Sequence, residues 1–204
     1  MSKLTVTGLI YHHLGPFDLI VEAGEIVSLS GSSGAGKSLL LRALADLDPH
    51  DGEVLLDGQS SQIWPAPQWR RRVGLLPAES QWWHDTVGEH LQKSVAPERL
   101  AALGFASQVM SWSITRLSSG EKQRLAILRL LQNRPEVLLL DEPTANLDPE
   151  NAEQVENLFL RYQREHDAAI LWVTHDLDQG RRLGGRHYRI ENGRLDLIAA
   201  GEKP

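Results

Sequence analysis

The chain has 204 residues, 41% hydrophobic and 24% charged, an ordinary balance for a globular protein with one core and room for an inserted subdomain. A formal net charge of -6 counts against a nucleic-acid partner, and zero cysteines exclude disulfides and thiolate chemistry. No apolar run approaches the roughly 18–20 residues that span a bilayer, and the first residues lack the apolar stretch of a secretion signal. The expected location is cytoplasmic, with any membrane role exerted through a partner.

Short strands are predicted at Leu4–Val6, Phe17–Val21 and Glu25–Leu29, the last running straight into a glycine-rich stretch. A helix should begin inside that stretch and turn Leu39, Leu40, Leu41 and Leu44 inward. Pro49 and a turn at Asp51-Gly52 end it, and Glu53–Leu56 reads as a strand before Asp57-Gly58. The only dense basic cluster, Arg70-Arg71-Arg72, suits a solvated face or a local ion-pair site. Val73–Leu76 is a buried strand ending at Pro77. From about residue 78 to 117 the chain changes character, with helical pieces such as Pro97–Leu103 and scattered Trp and Ser. This stretch reads as a helical subdomain inserted into a core made of residues 1–77 and 118–204. Ala152, Val155, Leu158, Phe159 and Tyr162 follow a helical period; Ile170–Val173 is a further strand, and Arg189–Leu197 a hairpin turning at Asn192-Gly193. Alternating strands and helices favour a parallel sheet with helices on its faces.

Gly31–Ser38 reads GSSGAGKS and matches G-x-x-x-x-G-K-[ST] without a mismatch. The backbone N–H groups of Gly31, Ser32, Ser33, Gly34, Ala35 and Gly36 can cradle a triphosphate, since glycine permits close approach and unusual dihedrals. The following helix adds its positive N-terminal end. Lys37 should reach the β- and γ-phosphates, and the Ser38 hydroxyl should ligate magnesium. A hundred residues later, the apolar run from Val137 ends in Asp141 and Glu142. Asp141 falls near the metal, through a water, and Glu142 at the attacking water as general base. The competing reading is a surface acidic pair that caps the helix near Pro149. His175, just after Ile170–Thr174, either holds the γ-phosphate and Glu142 in register or serves only the structure. In Leu117-Ser118-Ser119-Gly120-Glu121, Ser118 and Glu121 have capping-box spacing. Free N–H groups at that helix end would suit a γ-phosphate on a partner's nucleotide, or the segment is an ordinary helix cap.

Over essentially its whole length the chain resembles the ATP-binding subunits of ABC transporters. Gly31–Ser38 is similar to the family's Walker A motif, Val137–Glu142 to Walker B and Leu117–Glu121 to the signature LSGGQ. Asn146-Leu147-Asp148 is similar to the D-loop and His175 to the switch histidine, all in the family's order. The resemblance implies an α/β fold: a P-loop NTPase (RecA-like) core with a mainly parallel sheet, an N-terminal antiparallel β subdomain and an inserted helical subdomain. It implies an ATPase using ATP and Mg2+ as a homodimer, or paired with another ATPase subunit. Two ATP molecules would lie between one subunit's Walker A loop and the other's signature residues Ser118, Ser119 and Gly120, with Asp148 close by. It further implies an integral membrane permease, and a peripheral position on the inner face of the cell membrane. Tyr11 is a candidate for the ring that stacks on adenine, or a strand-packing tyrosine. Leu171–Asp176 and Asp85-Thr86-Val87 most resemble small bacterial ATPases of iron or metal export.

The chain departs from that family at two points. Where a glutamine usually follows the strand equivalent to Val73–Pro77 and touches magnesium, this chain has Ala78, then Glu79, with Gln81 nearby. Ser119 stands at the signature's first glycine and adds a hydroxyl where the partner's phosphate would approach. Trp82 and Trp83 either anchor an interface or fill the helical subdomain. A different class of function, a mechanical or signalling ATPase that pulls on a membrane partner without moving solute, fits the same motifs. Translation and DNA-repair members carry two fused units or a long coiled coil, and this chain has neither.

Overall fold

Leu4, Val6, Leu9 and Tyr11 are all buried in one core, although strict alternation cannot include both pairs. A computed structural model, which describes residues 2–91 and 95–198, shows how the pattern recovers. Strand β1 (Ser2–Tyr11) shifts register between Val6 and Leu9, around Gly8 at φ +59°, and the extra residue restores the phase. The strand thus runs on to Tyr11, beyond the expected Leu4–Val6. β2 (Leu14–Glu22) returns antiparallel from a turn at His12-His13, with Tyr11 opposite Leu14.

β3 (Ile26–Gly31) leads through the glycine loop into α1 (Lys37–Leu44), which buries Leu40, Leu41 and Leu44 as predicted but leaves Leu39, expected to turn inward with them, only partly buried. β4 (Asp51–Leu56) starts earlier than expected: Asp51-Gly52 belongs to the strand, where Asp51 pairs with Ile10. β5 (Gln59–Ser60) and α2 (Ala66–Arg72) have no counterpart in the predicted elements. Trp69 of α2 is fully buried and donates its indole N–H to Leu44 O, docking the helix. At the end of α2, Arg72 pairs with Glu136 at 2.5 Å, the ion-pair use foreseen for that basic cluster.

β6 (Val73–Leu76) is followed by short helical pieces, α3 (Val87–His90) and α4 (Pro97–Ala101), and by single 3-10 turns at Ser107–Ser111 and Ile114–Arg116. The remaining elements are α5 (Ser119–Leu131), β7 (Val137–Asp141), α6 (Pro149–His166), β8 (Ala169–Val173), α7 (Leu177–Leu183), β9 (His187–Glu191) and β10 (Arg194–Ile198). The last two form the expected hairpin, with Asn192 at φ +49° and Gly193 at φ +73°, the two positive values that a tight two-residue turn needs.

Four strands form an antiparallel sheet in the order β2-β1-β4-β5, and six form the main sheet in the order β10-β9-β3-β8-β7-β6. In the main sheet all neighbours are parallel except β10. Alternate residues of β7 and β8 serve different cores. Val137, Leu139, Leu171 and Val173 face the core shared with α1 and the antiparallel sheet. Leu138, Leu140, Ile170 and Trp172 join α5, α6 and residues Leu100, Leu103, Phe105 and Val109. Both faces of the parallel strands are therefore dry, which explains their unbroken apolar runs.

Candidate functional site

β3, β8 and β7 lie side by side, with Leu29 paired to Val173 and Val173 to Asp141. Whatever follows their last residues emerges along one edge of the sheet, where open α/β folds place ligands. The segments that follow are the glycine loop, His175 and Glu142.

Gly36 is the N-cap of α1 at φ +98°, a dihedral that favours glycine, and a Cβ there would press on the movable end of the Leu14 side chain. Lys37 is only 6% exposed. Its Nζ donates to the carbonyls of Gly31 at 2.8 Å and Ser32 at 3.1 Å, folding the side chain back across its own loop. Burial lowers the pKa of this ammonium, while Glu142 and Asp141 act in the opposite sense.

Asp141 ends β7 nearly buried, and burial pushes its carboxyl pKa up, with the charge of Glu142 adding to the effect. The Ser38 hydroxyl, Lys37 and the Ala78 N–H all favour its charged form, so Ser38 and Asp141 are brought together. Glu142 turns the chain at φ +48°, an uncommon value for a residue with a side chain. Its N–H donates to Val173 O at 3.2 Å, which fixes the turn to β8. Its Oε1 lies 2.7 Å from His175 Nε2. A pocket of about 210 Å³ is lined by Ser33, Gly34 and Gly36–Leu39 together with Glu142 and His175. The acidic pair read as an alternative helix cap is not one: α6 is capped by Asp148.

Ser118 caps α5 reciprocally, its Oγ accepting from Glu121 N–H at 3.2 Å and its own N–H donating to Glu121 Oε2 at 2.8 Å. Ser118 and Ser119 are exposed, and neither they nor Gly120 line the phosphate-loop pocket. Gly120 sits against the Asn146-Leu147 turn, where a Cβ would be 3.2 Å from Asn146 O. Asp148, expected beside the nucleotide, spends its carboxylate on the backbone and side-chain amide of Asn151, at 3.0 and 2.6 Å.

Tyr11 corrects an expectation. Its ring is 1% exposed, stands 5.4 Å from the Phe17 ring and offers no face to a base. The exposed rings of that hairpin are His12 and His13. His12 lines a second cleft of about 620 Å³, and Leu39 lines both this cleft and the phosphate-loop pocket. Trp82 and Trp83 divide between the two readings given to them: Trp82 packs on the core, while Trp83 is 64% exposed. Two residues that sequence reasoning missed, Thr144 and Gln179, line a cleft of about 860 Å³ on which Glu142 and His175 also open. Gln179 is four residues after His175 and 5% exposed on a helix of seven residues, and the sequence carries no signal that marks it.

The family model described as ABC transporter matches residues 14–145. The aliphatic sulfonates import ATP-binding protein 2 of Frankia alni is 36% identical over 96% of this chain and 80% of its own length. The "Probable iron export ATP-binding protein" of Escherichia coli is 34% identical over 81% of this chain and 79% of its own. A solved ATP binding subunit of an ABC transporter superposes with a TM-score of 0.86 at 23% identity, over 97% of this chain and 90% of that one. Importers and an exporter thus stand at nearly equal distance in sequence, and what they share is the nucleotide-binding half of the task. With a family match across most of its residues and relatives a third identical along nearly all of them, the chain belongs to the ABC transporter family, among its ATP-binding proteins.

Proposed function

We propose that this chain binds ATP with magnesium on the 31–38 loop and hydrolyses it as a head-to-tail dimer, energising a separate integral membrane permease. The observation that carries this reading is the 2.7 Å contact between Glu142 Oε1 and His175 Nε2 at the pocket that Lys37 shares. Phosphate oxygens are stronger partners for the Lys37 ammonium than the two loop carbonyls it now contacts, so a triphosphate would draw it outward. Glu142 takes the proton of the water that attacks the γ-phosphorus, the bond to the ADP oxygen breaks, and His175 holds the carboxylate in line. Ser38 and Asp141 are hard oxygen donors of the kind that hold magnesium beside phosphate, where the ion supplies charge neutralisation. The cleft that shares Leu39 with the phosphate pocket suits the nucleoside end, with His12 on its wall.

Ser118, Ser119 and Gly120 serve the nucleotide of the second subunit, supported by their exposure at a capped helix start away from their own loop's pocket. Residues 78–117 act as the inserted helical subdomain between core segments 1–77 and 118–204. Among the described residues no helix is long and apolar enough to cross a membrane, and on this reading a separate permease supplies the spanning part of the machine. The subunit then works from the cytoplasmic face, with exposed Trp83 beside the helical insertion as part of the docking surface. Phosphate release measured against protein concentration tests this: a dimeric site gives a specific rate that climbs with concentration and saturates. A specific rate constant over a hundredfold dilution would overturn it.

A further inference from the structure

Gln179 is 5% exposed, and every hydrogen-bonding group of its amide is engaged. Nε2 donates to Thr144 Oγ1 at 2.8 Å and to Glu156 Oε1 at 2.7 Å, while Oε1 accepts from Trp172 Nε1 at 3.3 Å. Three separate elements meet on this one amide: the turn after β7, helix α6 and strand β8. Glu156 in turn receives Arg182 at 3.3 Å.

The connectivity gives these bonds a use beyond filling the interior. Glu142 and Thr144 are two residues apart on one turn, and His175 and Gln179 are four apart across the start of α7. The Glu142–His175 contact joins the first residue of each pair at 2.7 Å, and the Thr144–Gln179 bond joins the second at 2.8 Å. Two short chain segments are therefore tied at both ends into a closed ring. His175 is half-exposed, so beside the backbone bond from Glu142 N–H to Val173 O the second tie of the ring helps to set its distance from Glu142, and cutting that tie loosens the first. We propose that Gln179 is a positioning residue for hydrolysis, holding the Glu142–His175 pair in register through Thr144 while α6 and β8 fix the amide. This rests on Glu142 and His175 being the hydrolytic pair. The requirement is for a neutral amide. A carboxylate at 179 would present oxygen to Glu156 Oε1 where Nε2 now donates, setting two anions against each other in a half-buried place.

The test compares wild type, Gln179→Glu, the swap Gln179→Glu with Glu156→Gln, and Thr144→Val, which keeps the shape of threonine and removes the acceptor. Glu142→Gln serves as control for the underlying reading. For each, kcat and the KM for MgATP are measured together with the melting temperature. Misplacement by about 1 Å can cost on the order of a hundredfold, so Gln179→Glu and Thr144→Val should lose roughly ten- to a hundredfold in kcat with KM within about threefold. The swap restores a donor at 156 facing an acceptor at 179, and should return kcat to within about threefold of wild type. If Gln179→Glu fails to fold, Thr144→Val alone decides by the same split between kcat and KM. An unchanged kcat in Thr144→Val, or a swap that recovers melting temperature but not kcat, overturns the positioning role. Near-normal hydrolysis in Glu142→Gln would instead sink the reading on which it stands.

Discussion

The hydroxyl of Tyr11 donates to the carbonyl of Gly36 over 3.2 Å, from the buried side of the phosphate loop. Gly36 is the residue that opens α1, so the last strand residue before the hairpin braces the start of the helix that follows the loop. Burial pushes the phenol pKa well above its usual value, which keeps it a donor at any physiological pH. Tyr11→Phe removes this bond and should cost about 1 kcal/mol, lowering the melting temperature by roughly 2–4 °C. The preference for ATP over GTP should stay unchanged, because the ring meets no base. His12→Ala is expected to weaken nucleotide binding instead, and equilibrium titration with both nucleotides checks the two variants together. A large loss of ATP affinity in Tyr11→Phe with intact stability would return the base to Tyr11.

Glu142→Gln keeps the shape of the side chain and removes the base. It should bind ATP as wild type does while turnover falls by about 10²–10⁴-fold, the usual contribution of a general base. Trapped ATP should then hold a dimer visible by size-exclusion chromatography. Hydrolysis within a few-fold of wild type would assign the water to another acceptor.

The glycine loop into α1, the strand that ends at Asp141 and the capped start of α5 were legible because each rests on local chemistry: φ-permissive glycines, an apolar run ending in charge, and a three-residue capping spacing. Tyr11 was not legible, since whether its ring faces a base or the core depends on the bulge around Gly8 and on contact with Phe17. Gln179 lies in a helix of seven residues, too short to show a period, and its partners come from segments 7, 23 and 35 residues away. α2 has only seven residues, with Pro65 as its N-cap and Pro67 in its first turn, a place that suits proline. Long-range hydrogen bonds leave no spacing in the sequence to read.

Ala78 supplies no side chain to a metal, yet its N–H supports the charged form of Asp141. Magnesium keeps waters readily, so water should take the place that a glutamine would fill, and Glu79 is exposed and does not line the pocket of Lys37 and Ser38. Glu79→Ala should therefore retain hydrolysis, and Ala78→Gln should raise magnesium affinity or basal rate modestly. Magnesium titration of the ATPase rate checks both. A collapse in Glu79→Ala with ATP binding preserved would show that the carboxylate has taken over the role.

Acid should destabilise the fold through His90. Its Nε2 accepts the N–H groups of Trp83 at 2.9 Å and His84 at 3.0 Å, and its Nδ1 faces Thr86 O at 3.0 Å. A proton on Nε2 would confront two donors, and burial first, then Arg129 and His84, hold the pKa below the ordinary 6.5, against an opposing pull from Thr86 O and Glu89. His187, held between Ser28 and Ser30, is likewise lowered by burial. With folded values depressed, the unfolded chain takes up protons first, so stability is full well above 6.5 and falls as pH drops through that value. Thermal melts from pH 8 to 5.5 should show the decline, with a shallower slope in His90→Gln, whose amide oxygen can still accept from both N–H groups. A melting temperature that rises on acidification over this range would contradict the assigned tautomer.

The dimer makes its sharpest prediction in a mixture of two dead variants. Lys37→Ala should weaken ATP binding in the monomer, because it removes a charge-assisted phosphate contact. Ser118→Arg should leave monomer binding nearly intact and abolish ATP-driven dimerisation, since in the proposed dimer that helix start serves the other subunit's nucleotide. Each variant alone puts its lesion in both composite sites of a symmetric dimer. When the two are mixed, a head-to-tail pair brings both lesions into one site and leaves the other site with a native Lys37 and a native Ser118. Because neither variant dimerises alone, the dimers that form in an equal mixture are mixed, each with one intact site of two, so up to about half of wild-type activity should return. The same mixture should regain an ATP-dependent dimer peak that neither variant shows alone. A mixture no better than its components, with equal loss of monomer ATP binding in both variants, would place Ser118 and Lys37 at one subunit's own nucleotide and rule out the sandwich.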